Sequence, residues 1–381
     1  MASASPSVIL NATALLSPLS GIGRYVHELA VALRGLHVPL HYYSAGRWSE
    51  AMPLIQSERV TATRRLIAGV PGARWWARHA QNRLFSRGAA SLHGCVYHEP
   101  NYLTYDFDGP VAVTAHDASW VRFPAAHPAE RVRMMDRYFP RSLAQARRVI
   151  VDSDFVAGEM RDIFGLTRDK LRTVHLGVSP RFKPMSAHDT FGTCQRFGLT
   201  HGQYILAVGT LEPRKNLATL LSAWRLIPEA LSRKFPLVVA GQTGWRHTDT
   251  DQQMTTMARS GQLRLLGHVD DADLPALYAA SCIFVYPSLY EGFGLPPLEA
   301  MASGVPVIAS DRASIPEVVG QAGVLVDPLD TDLLASTLNR LLQDSEERTR
   351  LATLGLAQSS HFSWAACALK TLAVYKEIQS C

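Results

Sequence analysis

No apolar run in the 381 residues approaches the ~18 that a membrane-spanning helix requires. The first basic residue is Arg24, so the start of the sequence also lacks the charged segment of a secretory leader. A cytoplasmic protein is the expectation. Cysteine is scarce: Cys95, Cys194, Cys282, Cys367 and Cys381 are odd in number and far apart, with no CxxC or Cys/His spacing. That argues against a disulfide framework and a structural zinc. Neither a repeat nor a low-complexity tract is present, which excludes solenoids and linker arrays. Acid is missing altogether from Arg59 to His98, a stretch that carries seven arginines.

Charge is divided unevenly along the chain. Residues 1–183 hold 23 Lys/Arg against 14 Asp/Glu, and the remainder holds 15 against 19. The basic stretch includes "ARWWARHAQNRLFSR", where Arg74 and Arg78, then Arg83 and Arg87, fall four apart beside Trp75, Trp76, Leu84 and Phe85. This is the pattern of a helix lying on an anionic membrane surface, and also that of a solvated basic face with its aromatics packed inward.

Strand-like and helix-like segments alternate throughout: "SVILNAT", a helix from about Gly23 to Arg34, "GPVAVTAHD", a helix around 130–147, and "RRVIVDS". After a breaker-rich stretch at 180–203, read as a linker, a second set runs through "YILAVGT", "FPLVVAG", "QLRLLGHV", "CIFVYPS", "VPVIAS" and "GVLVDP". Alternation of this kind marks doubly wound α/β domains. The expectation is two Rossmann-like domains facing a cleft, residues 1–183 and 184–362. The amphipathic segment 363–381 forms a terminal helix that joins the first.

Chemistry concentrates where strands end, which is where open parallel sheets bind ligands. "LEPRKN" delivers Arg214 and Lys215 just before a helix, a pairing suited to a diphosphate. "EGFGLPPLEAMASGVPVIAS" places Glu291 on a loop and Glu299 inside a helix whose first turn holds Pro296 and Pro297. Carboxylates accept hydrogen bonds from sugar hydroxyls. Diphosphate donors and hydroxyl acceptors together describe a site for a nucleotide-sugar. "SPLSGIGRYVHEL" has the look of a dinucleotide-binding loop but carries Val26 at the third glycine position, which weakens an oxidoreductase reading. Four Asp-x-Asp pairs, at 106, 152, 249 and 271, match a metal-binding spacing. Four matches in one chain suggest chance, and those at 152 and 271 read as helix caps, so no metal is assigned.

Taken in order, "GIGRY" at 21–25, "HD" at 116–117, "VGTLEPRKN" at 208–216 and the E-x7-E pair Glu291 and Glu299 resemble the retaining, GT-B-fold glycosyltransferases of family 4. The resemblance implies that Glu299 takes the ribose hydroxyls and Glu291 those of the transferred sugar. Arg214 and Lys215 neutralise the diphosphate, while backbone amides of Phe293 and Gly294 approach sugar and phosphate. His116 hydrogen-bonds the donor sugar, with Asp117 orienting the imidazole or capping the next turn. Gly21 and Gly23 let a loop face the diphosphate or the acceptor, and Arg24 beside them reads equally as a ligand or a surface residue. Many relatives carry arginine where this chain has Thr210, a departure that leaves open whether Arg214 takes over that charge.

The implied reaction moves a hexose with retention, without metal or cofactor, from a nucleotide-diphosphate sugar to a glycan or lipid-linked acceptor. The closest look is that of bacterial mannosyltransferases building lipopolysaccharide or exopolysaccharide, which favours GDP-mannose. UDP-glucose or another NDP-hexose is the runner-up, and a nucleotide-sugar epimerase on the same scaffold a further alternative. Binding to nucleic acid would account for the arginines but not for the glutamates. The implied location is the cytoplasm, peripheral on the inner face of the membrane.

Overall fold

The computed structural model describes residues 5–16, 21–53, 73–242 and 249–380. The chain divides into two compact units: Met1–Ala118 with Glu130–Gly177 and Trp364–Cys381, and Ser119–Ala129 with Val178–Ser363.

The first unit is a seven-stranded sheet in the order β3-β2-β1-β4-β5-β6-β7. Its strands are β1 (Val8–Asn11), β2 (Leu40–Ser44), β3 (Arg47–Ser49), β4 (Val96–Glu99), β5 (Val111–Ala115), β6 (Arg148–Val151) and β7 (Leu171–Thr173). All pair in parallel except β2 with the edge strand β3. Strands β1, β4 and β5 are buried at every position, as expected of a parallel sheet covered on both faces. The principal helices are α1 (Gly21–Gly35), α2 (Ala73–Ala89), α3 (Ala129–Gln145) and α4 (Asp154–Phe164).

The C-terminal helix, Trp364–Ser380, belongs to this unit. It buries Trp364, Cys367, Ala368, Thr371, Val374, Tyr375 and Ile378, a stripe of helical period, and packs along α1. Polar contacts fix its register: Tyr375 Oη lies 2.7 Å from His98 Nδ1, Arg147 donates to the Ile378 carbonyl at 2.7 Å, and Arg148 and Arg172 both hold Glu377.

The second unit is a six-stranded, all-parallel sheet in the order β10-β9-β8-β11-β12-β13. It comprises β8 (Ile205–Val208), β9 (Leu237–Ala240), β10 (Leu263–Gly267), β11 (Ile283–Tyr286), β12 (Val307–Ser310) and β13 (Val324–Val326). This is the 3-2-1-4-5-6 order of a doubly wound nucleotide-binding fold, and its strand order reverses between β8 and β11. Side chains leaving the carboxyl ends of those two strands therefore converge. The helices that matter here are α5 (Ala187–Phe197), α6 (Leu217–Arg225), α7 (Asp249–Arg259), α8 (Leu274–Ala279) and α9 (Leu295–Ala302).

The segment read as a linker contains α5. Ser186 and Asp189 form a reciprocal capping box at its start, and Gly198 closes it in the left-handed region at φ 63°. The same Ser, Asp and Gly that look like breakers are the punctuation of a short helix.

Candidate active site

After β8 the chain makes one 3-10 turn, Pro213–Lys215, and enters α6 through Asn216, held left-handed at φ 55°. Asparagine tolerates that conformation, and its side-chain amide here donates to the carbonyls of Pro287 and Pro328 at 3.1 and 2.5 Å. This pins the turn against the end of β11. Lys215 Nζ then reaches Glu291 Oε1 at 2.6 Å and Tyr286 Oη at 2.7 Å. Arg214 Nη1 reaches Glu291 Oε2 at 3.1 Å and its Nε reaches Glu212 at 2.9 Å. Glu291 accepts two further bonds, from Tyr286 Oη at 2.8 Å and Ser288 Oγ at 2.6 Å. Both cations named from the sequence are thus brought onto the first of the two glutamates.

Burial alone would raise the Glu291 carboxyl, but Lys215 and Arg214 outweigh it and hold its pKa down at about 2. Burial lowers Lys215 from the ordinary lysine value, with Glu291 pulling the other way. The result is a buried carboxylate with three donors on Oε1 and one, from Arg214, on Oε2.

Glu299 lies in α9, behind the two prolines of the first turn, and is 6% exposed. Gly294 precedes the helix at φ 117°, where a Cβ would also meet Ile315 Cδ1 at 2.8 Å. Ser314 Oγ donates to the carbonyls of Glu291 and Phe293 at 2.9 and 2.7 Å, fixing the loop, and the Phe293 ring packs edge-on to Phe362. Gly241 was not anticipated: a Cβ there would meet the Gly209 carbonyl oxygen at 1.8 Å, so the chain ends of β8 and β9 approach only because this residue is glycine. Tyr286 and Ser288 were missed as well. Their signal was "YPS" at 286–288, three polar or turn residues where a strand gives out, two positions short of Glu291.

In the first unit the equivalent reversal lies between β1 and β4. Asn11 Nδ2 donates to Glu99 Oε2 at 2.6 Å, and Tyr97 Oη donates to the same oxygen at 2.7 Å. Burial pushes Glu99 up to about 7. Neither residue was singled out from the sequence. His98, between Thr114 Oγ1 and Tyr375 Oη, is lowered to about 3 by burial and stays neutral.

His116 follows β5, 8% exposed. Its Nδ1 is 2.7 Å from Asp152 Oδ2 and its Nε2 is 2.8 Å from the Pro100 carbonyl. Burial would lower its pKa, but the Asp152 charge and the carbonyl outweigh that and raise it. Two acceptors facing two ring nitrogens favour the doubly protonated imidazolium. Asp117 does not orient this ring: it accepts from Tyr102 Oη at 3.1 Å, and the Tyr102 ring stands edge-on to the imidazole at 5.6 Å. The orienting carboxylate is Asp152, one strand away, which no spacing in the sequence could assign.

Other expectations need correction. Gly21 and Gly23 form the first turn of α1 and not a loop ahead of it, and Arg24 is buried, 8% exposed. The cap of α4 is Ser153, which leaves Asp152 for His116. Asp273 makes no cap bond to α8 and instead takes Arg196 at 2.6 Å, while Asp271 pairs with Arg181. The side chains of the pair at 249 lie outside the described residues, among which no three potential ligands are grouped to hold a metal ion.

The arginine-rich segment up to residue 72 also lies outside the described residues, as do the side chains of Arg74 and Trp75. Along α2 the rest divides: Phe85 is fully buried among Tyr43, Tyr97 and Tyr105, and Arg78 stacks on Tyr138 and Tyr105. Trp76, 69% exposed, Leu84, Arg83 and Arg87 face outward. No helix of the described residues is long and apolar enough to cross a membrane.

A family model described as glycosyl transferases group 1 matches residues 197–355, and one described as glycosyltransferase family 4 matches 19–182. The O-antigen chain mannosyltransferase B of Escherichia coli is 36% identical over 368 residues, 94% of this chain and 96% of that protein. Among solved structures, a sucrose-phosphate synthase from Thermosynechococcus elongatus superposes with TM-score 0.74 at 21% identity, covering 98% and 99% of the two chains. WaaG, a glycosyltransferase involved in lipopolysaccharide biosynthesis, does so with TM-score 0.72 at 15% identity, covering 97% and 99%. The fold these structures share with the chain is GT-B.

Proposed function

The chain belongs to the group 1, family 4 glycosyltransferases, and from that premise we propose that it transfers mannose from GDP-mannose to a glycan or lipid-linked acceptor of a surface polysaccharide, with retention and without a metal ion. The observation that carries the reading is the mutually bonded set Lys215, Arg214 and Glu291 at the reversal between β8 and β11. A diphosphate arriving there would draw both cations from Glu291. The lone pairs so released are then available to hydroxyls of the sugar, while Glu299 takes those of the ribose. As the bond to the sugar breaks, negative charge grows on the departing diphosphate, beside the two cations that it has drawn to itself. The leaving phosphate accepts the proton of the attacking hydroxyl on the same face. Mannose is favoured because a mannosyltransferase aligns along nearly the whole chain.

Thermal unfolding in the presence of GDP-mannose, GDP, UDP-glucose and UDP tests the donor. A ligand that binds only the folded state raises the midpoint, by about 2.7 kcal/mol of apparent stability at a hundred times Kd. GDP-mannose is expected to give the largest shift, and a larger one with UDP-glucose would move the assignment to a glucosyl donor. The epimerase alternative is distinguished by proton NMR of the donor incubated alone, which should show no new sugar.

The outward face of α2 supports a second element of this reading, contact with an anionic lipid surface. Trp76 and Leu84 would enter the headgroup region, and Arg83 and Arg87 would each add roughly 1 kcal/mol near anionic lipid. Sedimentation with phosphatidylglycerol vesicles should recover the wild type at low salt and lose most of it in an R83Q/R87Q variant. Equal recovery of the two proteins would refute the membrane contact.

A further inference from the structure

A cavity of about 140 Å³ opens in the first unit between α2, α3 and the segment that follows β4. Helical spacing builds it: Arg78, His79 and Asn82 come from one face of α2, and Tyr138, Arg141, Ser142 and Gln145 from one face of α3. Thr104 and Asp106 close the third side. It holds none of the residues discussed for the sugar donor.

The hydrogen bonds around the cavity leave an excess of donors. Asn82 spends its amide on Asp106, giving Nδ2 to Oδ2 at 2.6 Å and accepting from the Asp106 amide at 2.7 Å. Gln145 Nε2 is shared between the carbonyls of Tyr105 and Phe107 at 3.1 and 3.3 Å. Ser142 Oγ accepts from the amide and hydroxyl of Thr104 and donates to the Tyr138 carbonyl. Arg78 gives one Nη2 bond to the Thr104 carbonyl at 2.5 Å, and Arg141 is exposed. Arg78 acts on the buried Glu99 carboxyl through its charge alone, with no hydrogen bond to it. Both guanidiniums stand against one ring, their Cζ atoms 4.7 and 5.9 Å from the centroid of Tyr138, whose buried hydroxyl has no hydrogen-bond partner.

Two guanidiniums with donors to spare and an unspent hydroxyl call for a ligand that only accepts hydrogen bonds and carries negative charge. We propose that this cavity is a binding site for a phosphate group, distinct from the donor site. Asp106, the one acid on its wall, is turned to Asn82 and sets the limit on how much charge the cavity takes. The volume is that of roughly four to five waters at ~30 Å³ each, enough for a phosphate and the first atoms of the group that bears it. The phosphate can come from a soluble phosphate ester or from a lipid headgroup, since α2 also carries the outward Trp76, Arg83 and Arg87.

The test is titration of inorganic phosphate into the full chain at constant ionic strength, followed by ³¹P NMR line width. Wild type and Lys215→Ala should bind saturably and alike, which separates this cavity from the donor site. Arg78→Gln and Arg141→Gln should each bind at least tenfold more weakly. Arg141→Gln is the decisive variant, because an exposed side chain without hydrogen bonds can be changed without unfolding the unit. A second arm compares vesicles of phosphatidic acid with vesicles of phosphatidylglycerol at matched surface charge. Preferential sedimentation of wild type over Arg141→Gln with phosphatidic acid assigns the phosphate to a headgroup. Equal sedimentation, with the phosphate titration still separating the two proteins, assigns it to a soluble ester. Phosphate binding that does not saturate, or that is the same in wild type and both arginine variants, overturns the proposal.

Discussion

Lys215→Ala should lower turnover by a factor of about 100 to 1,000, the usual loss when one preorganised charge-stabilising group is removed from an active site. Lys215 is half-buried, its side chain 13% exposed, and its Nζ is held by Glu291 and Tyr286 before any ligand arrives. Its charge is therefore already beside the diphosphate site, and only its bond to Glu291 has to be exchanged for one to the phosphate. Arg214, on the same carboxylate, retains part of the field and sets the lower end of the range. The substitution should also show in acid. With its pKa held at about 2, Glu291 contributes stability that is complete above the ordinary carboxylate pKa of ~4.3 and is lost as pH falls toward 2. Without Lys215 that pKa rises, so acid unfolding of the second unit should begin at higher pH. Turnover within threefold of wild type would remove Lys215 from the chemistry.

Asp152→Ala should destabilise the protein by about 3 to 5 kcal/mol, the range seen when one partner of a buried ion pair is deleted. It leaves the His116 imidazolium with the Pro100 carbonyl as its remaining partner in a site where burial disfavours charge. The sign of the pH dependence follows from the direction of the shift. A raised His116 pKa contributes stability that is fully present below the unfolded value of ~6.5 and is lost as pH rises through the folded value. Once Asp152 is gone, burial lowers that pKa below the unfolded value, so the variant loses further stability as pH falls through ~6.5. The gap in urea midpoint between wild type and variant should be widest near pH 5.5 and narrow above pH 8. Asp152→Asn, which can still accept from Nδ1, should lose less. A gap independent of pH would mean that the pair is uncharged.

What could be read from the sequence follows a physical division. Apolar runs such as "VAVTA" and "LVVA" announce strands because a parallel sheet buried on both faces admits little else. The cations at 214 and 215 and Glu291 could be singled out because they follow the ends of such runs, and Glu299 because it lies in the helix that comes next. Partnership across the sheet was not legible. Asp152 meets His116 because β5 and β6 are neighbours, and nothing local to "VIVDSDF" distinguishes that role from a helix cap. The linker was misread for a related reason: a capping box and a terminal glycine use the same residues as a loop. Gly241 escaped notice because its requirement is a backbone contact with Gly209, 32 positions earlier in the chain.

The central claim, that Lys215 and its neighbours hold the diphosphate of a nucleotide-sugar without a metal, is tested most directly by calorimetric titration of GDP-mannose in EDTA. Wild type should bind one equivalent saturably, and Lys215→Ala should bind it at least tenfold more weakly. Equal affinity in the two proteins, or binding that appears only after a divalent cation is restored, would contradict the account.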